Sequence, residues 1–291
     1  LYSSAASDVY KRQVVRVIDR IILPLGRRVD FDSPTVDARL PDGSRVNAVV
    51  RPVAIDGPSI TIRKFRKDKL QAEDLINFGS LTRQMADFLQ ACVKARFNIV
   101  ISGGTGSGKT TLLSALCNGI PKDARVVKIE DPEEIWLDHP HVVTLEARPA
   151  QVGSSIVPYD LDAAVRDAMR MSPKWLIVGE MRSGEAIKAL LDAQMSDHAG
   201  LSTFHAEGPQ VAISRMSLKL FNDSGVRAEG AKEMITQAVD LIVQVGWSAG
   251  GRTMIGVWEV EKELKGGNVQ FRQLYKPGDT ELLPVAIERR V

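Results

Sequence analysis

The sequence predicts an α/β fold: a layered domain built on a largely parallel sheet, preceded by a smaller unit rich in β-strands. Two observations carry this. From about residue 82 onward, short apolar runs alternate with segments of helical periodicity, the pattern of strands joined by crossover helices. A glycine-rich octapeptide also sits where a buried strand passes into a helix. The 291 residues are 44% hydrophobic and 25% charged, enough apolar material for a packed core. With 38 Lys and Arg against 36 Asp and Glu, the net charge is +2, which argues against a dedicated nucleic-acid coat. No run approaches the ~18 apolar residues that span a bilayer. Cys92 and Cys117 stand in apolar, helix-like contexts and are expected to be reduced core residues; with four dispersed histidines they match no zinc spacing.

Element by element, residues 1–13 share no pattern with the rest of the chain. Because the first residue is Leu rather than Met, they are expected to be a non-native scar ahead of a truncated amino-terminal domain, 14–66. In that stretch, VDARLPDGSRVNAVV alternates on either side of Pro41-Asp42-Gly43, a hairpin signal, and ITIRKF reads as a further strand. A basic run from Arg63 to Lys69 reads as a solvated linker, with 67–80 taken as linker and entry helix. The remainder, 81–291, is predicted to place helices near 82–95, 109–117, 160–171, 184–195 and 208–221. Its strands are predicted at 97–102, 125–130, 174–179 and 200–204, ahead of a β-rich tail from about Val239.

The octapeptide Gly103-Gly104-Thr105-Gly106-Ser107-Gly108-Lys109-Thr110 fits G-x-x-x-x-G-K-[ST] at every position and is followed by Thr111. Glycines let successive N–H groups turn inward around phosphates, where side chains would block approach. Lys109 supplies a point charge for the outer phosphates, and the Thr110 hydroxyl can ligate Mg²⁺. The chain therefore reads as a nucleoside triphosphate binder. It lacks the Asn/Thr-Lys-x-Asp motif of GTPases and any evident lid or acceptor site of a small-molecule kinase.

Further groups narrow the chemistry. WLIVGEMR ends a strand on Gly179-Glu180, where a carboxylate beside the phosphates can hold Mg²⁺ through water or polarise the attacking water. KIEDPEEI sets Glu130, Asp131, Glu133 and Glu134 after another strand; such a cluster needs a cation or basic partner, and is expected to form a second acidic edge of that site. His198 and His205 bracket a strand and are expected to sense the terminal phosphate. Arg166 and Arg170, four apart and off the apolar face of their helix, are candidates with Arg148 to stabilise transferred charge, as arginine fingers do.

In this order, IVISGGTGSGKTT, KIEDPEEI, AMRMSPKWLIVGEMRSGEA and HAGLSTFHA resemble the Walker A, Asp box, Walker B and His box of the type II/IV secretion ATPase family. VDARLPDGSRVNAVVRP and GPSITIRKF are similar to the amino-terminal segment of its Tad (Flp) pilus-assembly branch. Two departures stand out. Ser196-Asp197-His198 replaces the usual Thr-Gly-His, and Pro132-Glu133 varies the Asp box while leaving Glu130, Asp131 and Glu134 in place.

The resemblance implies a RecA-like P-loop ATPase domain behind a smaller α+β domain, with ATP held between them in a hexameric ring. It implies a cytoplasmic motor, peripheral to the inner membrane and docked under a platform protein, that powers pilus assembly or protein secretion; the low net charge gives the expectation of no direct nucleic-acid contact. It also implies that Arg63, Arg148, Arg166 and Arg170 reach the nucleotide from the amino-terminal side or across the subunit interface. A conjugative DNA-transfer ATPase shares all four motifs, and a non-hydrolysing nucleotide-gated scaffold is the rival from another class.

Overall fold

A computed structural model describes residues 2–64, 69–148, 157–279 and 281–286. Most of the basic linker, 65–68, lies outside the described residues. The chain folds as two compact units that divide after Lys69.

The first unit opens with a helix, α1 (Tyr2–Ile22), which runs unbroken across the boundary drawn at residue 13. Gly26, at φ 68°, ends the short turn after it. The anticipated hairpin is present: β1 (Thr35–Arg39) pairs antiparallel with β2 (Arg45–Val49), with Gly43 at φ 86° in the turn. Asp42 Oδ1 accepts the Ser44 N–H at 2.9 Å, the local bond that makes Asp-Gly a good turn. β3 (Ser59–Arg63) adds to the other edge of β2. Val36 pairs with Ala48, and Ala48 with Ile60, so one face of the sheet is apolar. It packs with Ile18 and Ile22 of α1 into a small core of its own.

The second unit begins with α2 (Ala72–Asn77) and α3 (Arg83–Lys94), then alternates strand and helix. In chain order come β4 (Ile99–Gly103), α4 (Lys109–Cys117), β5 (Val126–Glu130), β6 (Val142–Glu146), α5 (Leu161–Met169) and β7 (Trp175–Val178). Next are α6 (Gly184–Met195), β8 (Ala199–Phe204), α7 (Pro209–Ser224), α8 (Ala228–Ala238), β9 (Leu241–Ser248), β10 (Gly251–Val260) and β11 (Phe271–Tyr275). Every predicted helix and strand of this part is found within a few residues, and α2 falls inside the 67–80 stretch expected to hold an entry helix; β6 and α8 were not foreseen. Asp160 caps α5 as its composition implies, accepting the Ala163 N–H.

The eight strands form one sheet in the order β11-β10-β9-β4-β8-β7-β5-β6. All neighbours from β9 to β6 are parallel, and β10 and β11 add antiparallel at one edge. The β-rich tail belongs to the same sheet: its first strand lies directly against β4. Side chains alternate between two apolar layers. Ile99, Ile101, Trp175, Ile177, Leu201 and Val243 pack with α3 and α4. Val100, Leu176, Val178 and Ile242 pack with α5 to α8. A sheet covered on both faces accounts for the continuous apolar runs of its strands. Cys92 and Cys117 are buried free thiols in the first layer; burial pushes Cys92 up to about 12 and Cys117 higher still, so neither is a ready nucleophile. Among the described residues, no helix is long and apolar enough to cross a membrane.

Candidate nucleotide site

Because β4, β5, β7 and β8 run parallel, the segments that leave them all emerge at the same carboxyl edge, where open α/β sheets bind ligands. The glycine loop leaves β4 there. A Cβ on Gly103 would lie 2.5 Å from the Val245 carbonyl oxygen and 2.6 Å from Ser107 Oγ, so only glycine fits. Gly106 (φ 69°) and Gly108 (φ 98°) adopt the left-handed backbone that favours glycine. At Gly104 and Gly106 an added Cβ would meet nothing within 4 Å, so glycine there is not required by crowding.

Lys109 opens α4. Its Nζ donates to the carbonyls of Gly103 (3.1 Å) and Gly104 (2.8 Å), so the ammonium is folded across the loop. Partial burial lowers its pKa, and the nearby Glu180 carboxylate opposes that fall, which places these two charges in one electrostatic field. The α4 N-terminus has Gly108 as its cap, with no side-chain acceptor and no acid in the first turn. Its N–H groups, with the Thr110 and Thr111 hydroxyls beside them, suit phosphate oxygens. Among the described residues, no group of three or more His, Cys, Asp or Glu could hold a metal by itself. Mg²⁺ typically takes one or two protein oxygens and completes its shell with phosphate and water. Thr110 and Glu180 are the donors available for it.

Glu180 follows β7 on a loop tied to β8. Thr203 Oγ1 donates to the Gly179 carbonyl at 2.6 Å, and the Met181 N–H to the Thr203 carbonyl at 3.0 Å. Arg182, which sequence reasoning passed over, donates from Nε to Glu180 Oε2 at 2.8 Å and from Nη1 to Asp131 Oδ2 at 3.4 Å. One guanidinium therefore joins the carboxylates that lie beyond β7 and β5.

The acidic cluster does have the basic partner its charge density demands, but Glu130 is not at the water's edge. It closes β5, is buried, and accepts the N–H groups of Glu134 (2.9 Å) and Ile135 (2.8 Å) on Oε1. Lys128 Nζ, equally buried, lies 3.1 Å from Glu130 Oε2 as a charge contact without hydrogen-bond alignment. It donates to Glu133 Oε1 (2.8 Å) and the Ile135 carbonyl (2.6 Å). Glu130 and Lys128 thus build the turn that presents Asp131 and Glu134, both partly exposed.

His205 directly follows β8 and is exposed at the same edge as the loop. Its backbone is firmly held: the His205 carbonyl accepts from Arg215 Nη1 (3.1 Å), and the Ala206 carbonyl from Ser102 Oγ and Gln244 Nε2 (3.1 Å each). His198 is not part of this assembly. It precedes β8, so it sits at the opposite edge, about 20 Å away at ~3.3 Å per strand residue. There its Nδ1 is 3.2 Å from the Ala193 carbonyl. The altered triplet beside it is also explained. Asp197 has φ 67°, the conformation for which the family's usual glycine is suited, and its carbonyl accepts from Arg96 Nη2 at 2.6 Å.

Within the second unit, Arg148, Arg166 and Arg170 lie on elements at the β6 side of the sheet, away from β4 and its loop. Arg148 follows β6, the far edge strand, with three strands between β6 and β4; its backbone bridges Tyr159. Arg166 pairs with Asp162 one turn earlier on α5, and Arg170 is the exposed C-cap of that helix. Arg63 ends β3 in the first unit.

Comparison with known proteins agrees with this architecture. The profile of the type II/IV secretion system protein family matches residues 8–245. A putative conjugal transfer protein of Mycobacterium tuberculosis is 32% identical over 259 residues, covering 87% of this chain and 73% of that protein. The type IV secretion system protein PtlH of Bordetella pertussis is 30% identical, covering 84% and 78%. An uncharacterized Methanocaldococcus jannaschii protein, MJ0781, is 41% identical over 195 residues, but the chain spans only 27% of its length. Among solved structures, the VirB11 ATPase of the Brucella suis type IV secretion system superposes with TM-score 0.52 at 27% identity, covering 82% of this chain and 77% of that one. The pilus retraction motor PilT with bound ADP shares the fold at TM-score 0.56 and 21% identity, covering 77% and 62%. With that profile spanning most of the sequence, relatives at 30% identity and above, and a RecA-like α/β sheet shared with the solved ATPases, this chain belongs to the type II/IV secretion system protein family.

Proposed function

We propose that the chain is the ATP-hydrolysing motor subunit of a bacterial envelope machine that assembles pili or secretes protein, of the Tad (Flp) branch. The observation that carries this reading is the meeting, at one sheet edge, of Lys109 and an open glycine loop with Glu180 and the Asp131/Glu134 turn. The loop N–H groups of 103–108 and the Lys109 ammonium bind the phosphates, while Thr110 and Glu180 orient Mg²⁺, which supplies Lewis-acid charge to the phosphoryl oxygens. Asp131 or Glu134 takes the proton of the attacking water, and His205 contacts the terminal phosphate.

The family resemblance adds a homo-hexamer, cytoplasmic and docked on an inner-membrane platform protein. The far-flank position of Arg148, Arg166 and Arg170 supports their service to a neighbouring copy, with Arg63 from the amino-terminal unit. A second reading, a conjugative transfer ATPase, is favoured by the conjugal transfer names of the mycobacterial and Rhizobium radiobacter relatives. Reconstitution with platform proteins of either machine separates the two.

The test of the activity is direct. Calorimetry with MgATP shows uptake by the wild type and none by Lys109→Ala. Glu180→Gln binds ATP yet loses about 10²–10³-fold in phosphate release, the scale for removing a preorganised electrostatic group. Unchanged turnover in Glu180→Gln refutes the assignment.

A further inference from the structure

The hairpin that joins β9 to β10 reaches past the carboxyl edge of the sheet. Gly103, the last residue of β4, is level with Val245 of β9, and β9 continues to Ser248 before β10 returns from Gly251. Arg252 on β10 is the antiparallel partner of Trp247 on β9, and both are exposed above the glycine loop. The Arg252 guanidinium lies 4.9 Å from the Trp247 ring centroid, and its Nε donates to the Gly106 carbonyl at 2.7 Å. The Arg252 Cδ also passes 3.6 Å from where a Cβ on Gly108 would sit.

We propose that Arg252, braced on Trp247, is a positioning residue that pre-orients the phosphate loop by holding the Gly106 carbonyl outward. A peptide unit is planar and trans, so its C=O and the next N–H point in opposite directions. Fixing the Gly106 carbonyl on the hairpin side turns the Ser107 N–H toward the loop interior. That N–H makes a long, 3.4 Å bond to the Gly104 carbonyl, one that a phosphate oxygen would replace with a stronger, charge-assisted partner. Gly106 has φ 69° and no side chain of its own to pack, so the bond from Arg252 adds a fixed anchor to a peptide otherwise held by the long Ser107 N–H bond. Trp247 supplies the face against which a guanidinium, unlike a lysine ammonium, lies flat.

This inference rests on the proposed nucleotide site and adds a residue to it. The test compares Mg²⁺-dependent binding of ATP, ADP and pyrophosphate by calorimetry in wild type, Arg252→Ala, Arg252→Lys and Trp247→Leu. Arg252→Ala weakens all three about tenfold, the worth of one exposed charge-assisted hydrogen bond. Trp247→Leu gives a smaller loss in the same direction, and Arg252→Lys recovers part of the affinity. Both side chains are exposed, so the thermal transitions of the ligand-free variants stay near that of the wild type. Unchanged affinity in Arg252→Ala overturns the proposal. So does a loss confined to ATP and ADP, which would assign Arg252 to the base. Failure of the wild type to bind any of the three ligands refutes the nucleotide reading instead.

Discussion

Replacing Lys128 by methionine tests whether Glu130 belongs to the fold or to the chemistry. The two side chains are 4% and 2% exposed, and Lys128 also satisfies Glu133 and the Ile135 carbonyl. Removing one partner of such a pair strands the other charge in a poorly solvated place, at a cost of about 3–5 kcal/mol. Burial already raises the Glu130 pKa, with Lys128 and the Glu134 and Ile135 amides pulling against it. In the variant the largest opposing charge is gone, so the pKa climbs further.

The sign comes from proton linkage. A carboxyl whose folded-state pKa exceeds its unfolded value binds more protons when folded, so its contribution is present at acid pH and lost as pH rises through the folded value. Lys128→Met is therefore most destabilised at neutral pH, and the deficit relative to wild type shrinks as pH falls toward 5. Lys128→Met/Glu130→Gln, which buries no charge, recovers part of the loss at pH 7. Urea denaturation followed by far-ultraviolet dichroism at pH 7 and pH 5 reads all three. A Lys128→Met protein as stable as wild type at pH 7, or a deficit that grows on acidification, refutes the buried-pair account. The functional corollary is that Glu130→Gln retains hydrolysis within about tenfold, far above Glu180→Gln.

The histidines give a second contrast: His205→Ala lowers phosphate release by about 10–10²-fold, whereas His198→Ala, at the opposite sheet edge, leaves it within about twofold, as a steady-state assay measures. Equal losses in the two variants would place His198 in the site after all. At Asp197, φ 67° costs a non-glycine residue about 1 kcal/mol, so Asp197→Gly raises the thermal midpoint by about 2 °C. A fall on calorimetric scanning would mean that the 3.7 Å Arg96–Asp197 contact outweighs the backbone strain.

Much of the fold was legible because strand and helix leave different periodicities. Ile99 to Ile101 and Trp175 to Val178 are uninterrupted apolar runs of strand length, while α5 spaces Leu161, Val165 and Ala168 on one face. The elements that escaped lack such a signal. β6 is an edge strand with no fully buried position, and α8 buries mainly small residues around an internal glycine, Gly230. The glycine loop's position between β4 and α4 was legible outright, since the octapeptide stands between a strand-length apolar run and a helical one. Arg182 and Arg252 were not, because each acts through a partner 51 or 146 residues away.

The sequence alone determined that a strand ends in a glycine loop and that acidic and histidine motifs come after it in order; these are local facts, set by composition and spacing. Tertiary structure decided which of them share an edge. His205 and His198 are equally near β8 in the chain, yet strand direction carries one to the loop and the other away. Glu130 and Asp131 are adjacent residues, yet the pleat and the end of β5 bury the first beside Lys128 and leave the second to meet Arg182. Direction and burial arise from the packing of the sheet as a whole, and no window of sequence contains them.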